Sequence, residues 1–300
     1  MPKLVHTLKR ANSIAISPDG KLIATATATQ INLFDAASYQ QVALFRDCPN
    51  SIVSFSPNNT WLLFKSVERR LGLFDLKSMR LFRKFSVKNN TQSQDYGICF
   101  SSDESKIINL VYGNDLLGYI SIWDTAAWTE QRYFEGQNNV FTHIQYCPKK
   151  ARCFISGIRR PAGTIKENRS FYLWFAPKTG QADWHETDFK NNEVFIYSSR
   201  DDSIFAYRPH STEGKIHLLK TSQTVSIACD GTIQKIAISH DNTKVAVMFN
   251  KKATLYAYPS FQKLADIDTQ DSFGPIVFSP DDKLLLIGTW KAGFIYDITA

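Results

Sequence analysis

Apolar runs of four to six residues alternate with short polar turns along the whole chain. IAIS ahead of Ser17 and LIATA after Lys21 make one such pair. SIVSF and WLLF flank SPNN, KIAIS and VAVMF flank SHDN, and PIVF and LLLIG flank SPDD. Runs rich in Val, Ile, Phe and Ala, bounded by Pro, Asp, Asn and Gly, predict strands joined by tight turns. Their near-continuous apolarity predicts sheets covered on both faces. A third run follows, often ending in an aromatic residue and Asp: INLFD at Asp35, LGLFD at Asp75, YISIWD at Asp124 and FIYD at Asp297. A fourth run closes the unit after a polar turn, as in QQVALF, MRLFRKF, EQRYF and FQKLADI.

The turns between the first two runs begin at Ser17, Ser56, Ser101, Cys147, Ser198, Ser239 and Ser279. Four predicted strands, here a to d, recurring at about 40–45 residues mark the blades of a propeller. Seven such units predict an all-β, seven-bladed β-propeller of four-stranded antiparallel blades. The seventh unit stops just after its third strand, whereas the chain opens on Lys3-Leu4-Val5-His6-Thr7-Leu8, similar in composition to a fourth strand. The N-terminal strand is therefore expected to pair with the last blade, which closes the ring and removes a free sheet edge.

The SPDG-type turn, the aromatic-Asp pair, the period and the staggered closure resemble the WD40-repeat family over Lys3 to Ile298. Two departures stand out. No Gly-His dipeptide precedes a first strand, and Trp123-Asp124 is the one literal Trp-Asp pair, against Phe34-Asp35, Phe74-Asp75 and Tyr296-Asp297. Units four to six end instead in Trp174-Phe175-Ala176, Leu218-Leu219-Lys220 and Tyr256-Ala257-Tyr258, and the fifth unit is the least regular. The resemblance implies rigid presentation of a top face and channel mouth to a protein or peptide.

The 300 residues are read as a single WD40-like domain over 1–300, since repeat architectures run this long as one body. No apolar stretch approaches the ~18 residues of a membrane span. Met1-Pro2-Lys3 leads straight into a strand, so no signal peptide is expected and the predicted setting is cytoplasmic, without a membrane partner. Cys48, Cys99, Cys147, Cys153 and Cys229 are an odd, scattered set with no C-x-x-C pair, read as buried free thiols in a reducing compartment. Neither a metal nor a cofactor is expected.

No G-x-S-x-G, phosphate-loop, G-x-G-x-x-G or H-E-x-x-H motif occurs. The acid pairs Asp201-Asp202 and Asp281-Asp282 fall in a–b turns, where Asp accepts backbone hydrogen bonds, and are read as structural. The chain is expected not to be an enzyme. The alternative is a propeller enzyme or small-molecule binder with a channel-mouth site assembled from several blades.

The b–c and d–a connections share the top face, and several b–c connections are basic. Arg69 and Arg70 lie in unit two, Arg159, Arg160, Lys166 and Arg169 in unit four, Arg208 in unit five, Lys251 and Lys252 in unit six, and Lys291 in unit seven. The d–a connections are expected to carry Asp47, Asp95, Glu135, Asp188, Asp230, Asp268 and Asp271, giving an acidic inner zone within a basic ring. The longest b–c connection, Ile158 to Ser170, turns near Pro161-Ala162-Gly163; it is a candidate clamp, with Trp174 and Phe175 in the strand that follows. Trp290, just past a second strand, is a candidate anchor.

A net charge of +7 favours an acidic partner. Nucleic acid is the weaker candidate, because Lys9-Arg10, Arg80, Arg83-Lys84 and Lys149-Lys150-Arg152 spread over several surfaces. No Phe-Arg-Arg-Gly lipid-binding tetrapeptide is present; Leu81-Phe82-Arg83-Lys84 is a superficial echo. The chain therefore reads as a non-catalytic platform for a protein or peptide, with Arg69, Arg70, Arg159, Arg160, Arg169, Lys251, Lys252, Trp290 and Lys291 as its expected partner-binding residues.

Overall fold

The structure is a computed structural model that describes residues 1–9, 11–66, 70–86, 97–112, 118–159, 168–190, 194–198, 201–228, 231–269 and 274–299. The chain opens with β1 (Lys3–Lys9). Blade 1 is β2 (Ser13–Ile16), β3 (Leu22–Ala26), β4 (Gln30–Asp35) and β5 (Gln41–Arg46). Blade 2 is β6 (Ser51–Phe55), β7 (Trp61–Ser66), β8 (Arg70–Asp75) and β9 (Arg80–Ser86), and blade 3 is β10 (Ile98–Phe100), β11 (Lys106–Tyr112), β12 (Gly118–Asp124) and β13 (Glu130–Tyr133). Blade 4 is β14 (Asn139–Cys147), β15 (Arg152–Arg159), β16 (Arg169–Phe175) and β17 (Ala182–Lys190). Blade 5 is β18 (Val194–Tyr197), β19 (Ile204–Tyr207), β20 (Lys215–Leu218) and β21 (Gln223–Ser226). Blade 6 is β22 (Lys235–Ile238), β23 (Lys244–Met248), β24 (Lys252–Ala257) and β25 (Lys263–Asp268). Blade 7 holds β26 (Ile276–Phe278), β27 (Leu284–Gly288) and β28 (Ala292–Asp297).

These strands form seven four-stranded antiparallel sheets, and β1 completes the seventh by pairing with β28, Lys3 opposite Asp297 and Lys9 opposite Ala292. The N-terminal strand closes the ring. Leu8 is buried there against Ile14, Ile23, Leu286 and Ile295.

Local chemistry explains the a–b turns. The Ser17 hydroxyl donates to Asp19 Oδ1 at 2.7 Å and accepts the Leu22 amide at 2.9 Å. Ser101, Ser239 and Ser279 repeat this with Asp103, Asp241 and Asp281. The Asp that ends strand c caps the next turn: Asp124 Oδ1 accepts the amides of Ala126 and Ala127 at 2.9 and 2.7 Å. Those amide bonds, the Ala127 one first, together with Lys106, hold its carboxyl at about 2.

The core lies between blades rather than within one. Ile31, Leu33 and Phe45 of blade 1 meet Leu62, Phe64 and Phe74 of blade 2, with Phe45 stacked on Phe74 at 3.8 Å between ring centroids. The outer strands β1, β5, β9 and β25 each carry a bulge just above the lower rim, at Val5, Val42, Phe82 and Leu264. A bulge in the same place on blades 6, 7, 1 and 2 twists each outer edge away from pairing.

Two expectations are corrected. β17 runs on to Lys190, so Asp188 lies within an outer strand and not in a d–a connection. Trp174 and Phe175 are buried at the lower end of β16, five and six residues or about 17–20 Å below Arg169, and cannot act with the long connection above.

Candidate functional site

On the side of the top face formed by blade 4, the arginines are engaged within their own blade. Arg159 and Arg169 sit opposite each other at the upper ends of β15 and β16. Both reach Glu186 of β17: Arg159 Nη1 makes a short ion pair with Oε1, and Arg169 Nη1 lies 3.9 Å from Oε2. Arg159 Nε also donates to Asn139 Oδ1 at 3.3 Å, and its guanidinium lies 5.1 Å above the Trp184 ring. One carboxylate thus neutralises part of the predicted clamp. Arg70 is similarly held, with Nη1 donating to the Asp47 carbonyl at 2.7 Å. Arg69 and Arg160 lie outside the described residues, as do Lys166, Asp95, Asp230, Asp271, Cys229 and the turn at Pro161-Ala162-Gly163.

The opposite arc, on blades 6, 7 and 1, presents its charges differently. Lys251 is exposed in the β23–β24 connection, while Lys252 at the start of β24 lies 3.3 Å from Asp266 Oδ2. In the β27–β28 connection the Thr289 hydroxyl accepts the amides of Lys291 and Ala292 at 3.2 and 3.0 Å. That clamp makes a tight turn whose tip carries Trp290, 45% exposed, beside exposed Lys291. Lys291 borders a groove of about 670 Å³ between blades 7 and 1, whose upper wall also holds Lys9, Thr29 and Gln30. At its lower end His6 stacks on Tyr39 with ring centroids 4.3 Å apart. Of the predicted residues, Lys251, Trp290 and Lys291 share this arc. Lys9 joins them, a residue the sequence offers as one scattered charge among many; only ring closure brings it beside Lys291.

The axis is open. A channel of about 780 Å³ runs between the first strands of the blades, and its wall is mostly aliphatic. Among the described residues that line it there is no carboxylate, so no acid–base pair from several blades faces the axis.

The structure also brings three cysteines of separate strands into mutual influence where blades 3 and 4 meet. Burial raises the Cys147 thiol to about 12, and burial with Cys99 beside it also raises the Cys153 thiol well above the usual value. Cys48, Cys99, Cys147 and Cys153 are all free. Among the described residues no cluster of three or more His, Cys, Asp or Glu is arranged to hold a metal, and no helix is long and apolar enough to cross a membrane.

No family model and no curated protein sequence matches the chain. Solved structures do resemble it. The β-propeller domain of Myceliophteria thermophila Cps50 (Swd1) superposes with a TM-score of 0.75 at 12% identity, covering 100% of each chain. Kuenenia stuttgartiensis hydrazine synthase gives 0.74 at 12% identity, over 98% of this chain and 97% of that one. At such identity the likeness is one of fold, and the two proteins' unlike names show how little a propeller alone says about function.

Proposed function

We propose that the protein is a non-catalytic platform, a single propeller domain working in the cytoplasm, that takes an acidic protein or peptide on its top face. The supporting observation is Trp290, an exposed indole on a rigid four-residue turn, set beside Lys291 and on the blade next to Lys251. A large exposed aromatic ring beside a cation is the composition of an interface anchor: the ring supplies apolar contact at low entropy cost, and the lysines steer and select acidic groups. The axis, without a carboxylate among its described lining residues, offers less to the alternative of a channel-mouth enzyme.

The test is affinity capture from nuclease-treated lysate with the wild-type protein and the Trp290→Ala/Lys291→Glu variant side by side. A stoichiometric protein that survives nuclease and falls at least tenfold with the variant is the expected result. Retention of that protein by the variant overturns the assignment of the site. Loss on nuclease treatment replaces the protein partner with nucleic acid.

A further inference from the structure

The axial channel combines two properties that a water-filled passage does not require. Its wall is built from side chains such as Ile16, Ile52, Ile196, Ile238 and Val277, contributed by five different blades. Its one cation among the described residues, apart from the imidazole of His240 at the lower end, is Lys235 at the start of β22, hence at the upper end of the passage. A second residue lies within the field of that charge. His143 stands on β14, the first strand of blade 4, and Lys235 is the charge that acts on it. Blades 4 and 6 are separated by blade 5, so their first strands stand two places apart around the axis. Lys235 is itself among the residues that line the channel. Two blades away, His143 Nε2 is sealed from solvent with no hydrogen-bond partner.

We propose that the channel is a binding site for an unbranched aliphatic carboxylate, with its chain along the aliphatic wall and its carboxylate on Lys235. A cation framed by low-dielectric walls focuses its field down the passage and attracts an anion. The wall then takes methylene groups out of water, which neither a phosphate ion nor a sugar would exploit. The dimensions agree: a first strand of four or five residues spans about 13–17 Å, the reach of an extended chain of about ten to twelve carbons. A cavity of this volume is within the range of small-molecule sites. The site is separate from Trp290 and stands or falls independently of it.

Calorimetric titration of the whole chain with sodium decanoate, 1-decanol and decyltrimethylammonium tests this. The expected result is saturable binding of one decanoate per chain, weakened about tenfold or more by Lys235→Met, with decanol binding unchanged by that substitution. Ala237→Trp and Ala15→Trp, each placing an indole in the passage, are expected to abolish binding of both; circular dichroism shows which of the two has folded, and that one is read. Three results overturn the proposal: no saturable binding of decanoate to the wild type, decanoate bound equally well by Lys235→Met or a folded plug variant, or decyltrimethylammonium bound as tightly as decanoate.

Discussion

Asp282 of blade 7 holds the backbone of His240 of blade 6. Its Oδ1 accepts the His240 amide at 2.8 Å while Oδ2 accepts the Asp241 amide at 2.8 Å, and the His240 Nδ1 lies 3.0 Å from Oδ1. Asp282 is the fourth residue of its turn and adopts φ 56°, as Gly20, Asn59, Glu104 and Asn242 adopt positive φ at the same position and Ala151 and Asp202 one residue later in longer turns. In several blades that left-handed residue sends its side chain to the turn of the preceding blade. Glu104 accepts the Asn58 amide at 2.7 Å, Asp202 lies 3.3 Å from Lys150 Nζ, and Asn242 donates to Ser198 Oγ. A row of clasps thus links neighbouring blades around the lower end of the channel.

Two substitutions separate the clasp from the backbone conformation. Asp282→Gly removes the bonds but tolerates the left-handed backbone, and is expected to cost about 2–3 kcal/mol. Asp282→Ala loses the same bonds and adds about 1 kcal/mol of strain. Urea denaturation of both variants checks this; equal midpoints would show that the left-handed conformation carries no cost at this turn.

The sequence shows the repeat because its determinants are local. Ser17 with Asp19, and Asp124 with Ala126 and Ala127, are bonds within three residues of each other, so the motif is visible as letters. The structural reading of Asp281 likewise follows from turn chemistry, whereas Asp282 is structural through the turn of the preceding blade. What the letters hide is what the pairing of distant strands and the closure of the ring create. Glu186 neutralises Arg159 from another strand, and Lys9 meets Lys291 only because β1 joins the last blade. Trp174 and Phe175 looked available beside a basic loop, yet the strand carries them down, Trp174 into the contact with blade 5 and Phe175 into the contact with blade 3. The end of β17 was hidden as well, because Asp188 is polar and reads as connection.

Closure is testable through Leu8, 2% exposed in the cluster with Ile14, Ile23, Leu286 and Ile295. Leu8→Ala removes buried methyl groups from the seam and should lower stability by about 2–4 kcal/mol in chemical denaturation. Deleting residues 1–9 exposes the β28 edge, and light scattering should then show concentration-dependent association. A monomeric truncated chain of wild-type stability would mean that β1 does not hold the ring.

Lys65 of β7 is 4% exposed at the contact with blade 3, where its ammonium donates to the Leu110 carbonyl at 2.5 Å. Burial lowers its pKa from 10.5 to about 7. The unfolded chain then binds the proton more tightly than the folded one, so stability rises with pH from about 7 to 10.5. Below that window the folded protein carries the full cost of the buried charge. Lys65→Met should therefore raise stability at pH 7, by on the order of 2–5 kcal/mol if the whole shift is expressed. It should also remove the alkaline rise, which denaturation midpoints at pH 7 and pH 10 compare directly. An unstabilised Lys65→Met variant would show that the lysine's contacts outweigh its desolvation.

His143 gives the opposite limb. Burial, with Lys235 second, lowers its pKa from 6.5 to about 4. Here too the folded state resists the proton, so the stability this group contributes is complete above pH 6.5 and disappears as pH falls towards 4. The loss amounts to on the order of 3 kcal/mol. His143→Leu should be less sensitive to acid than the wild type by that amount, measured as the change in urea midpoint between pH 7 and pH 4. Carboxylates elsewhere contribute equally to both proteins, so the difference isolates the imidazole. Lys235→Met should act in the same direction but more weakly, because it removes the second cause and leaves the first. An NMR titration of the His143 ring in that variant should show its pKa moving up towards 6.5. If the ring titrates unchanged, Lys235 does not act on His143, and the acid limb belongs to burial alone.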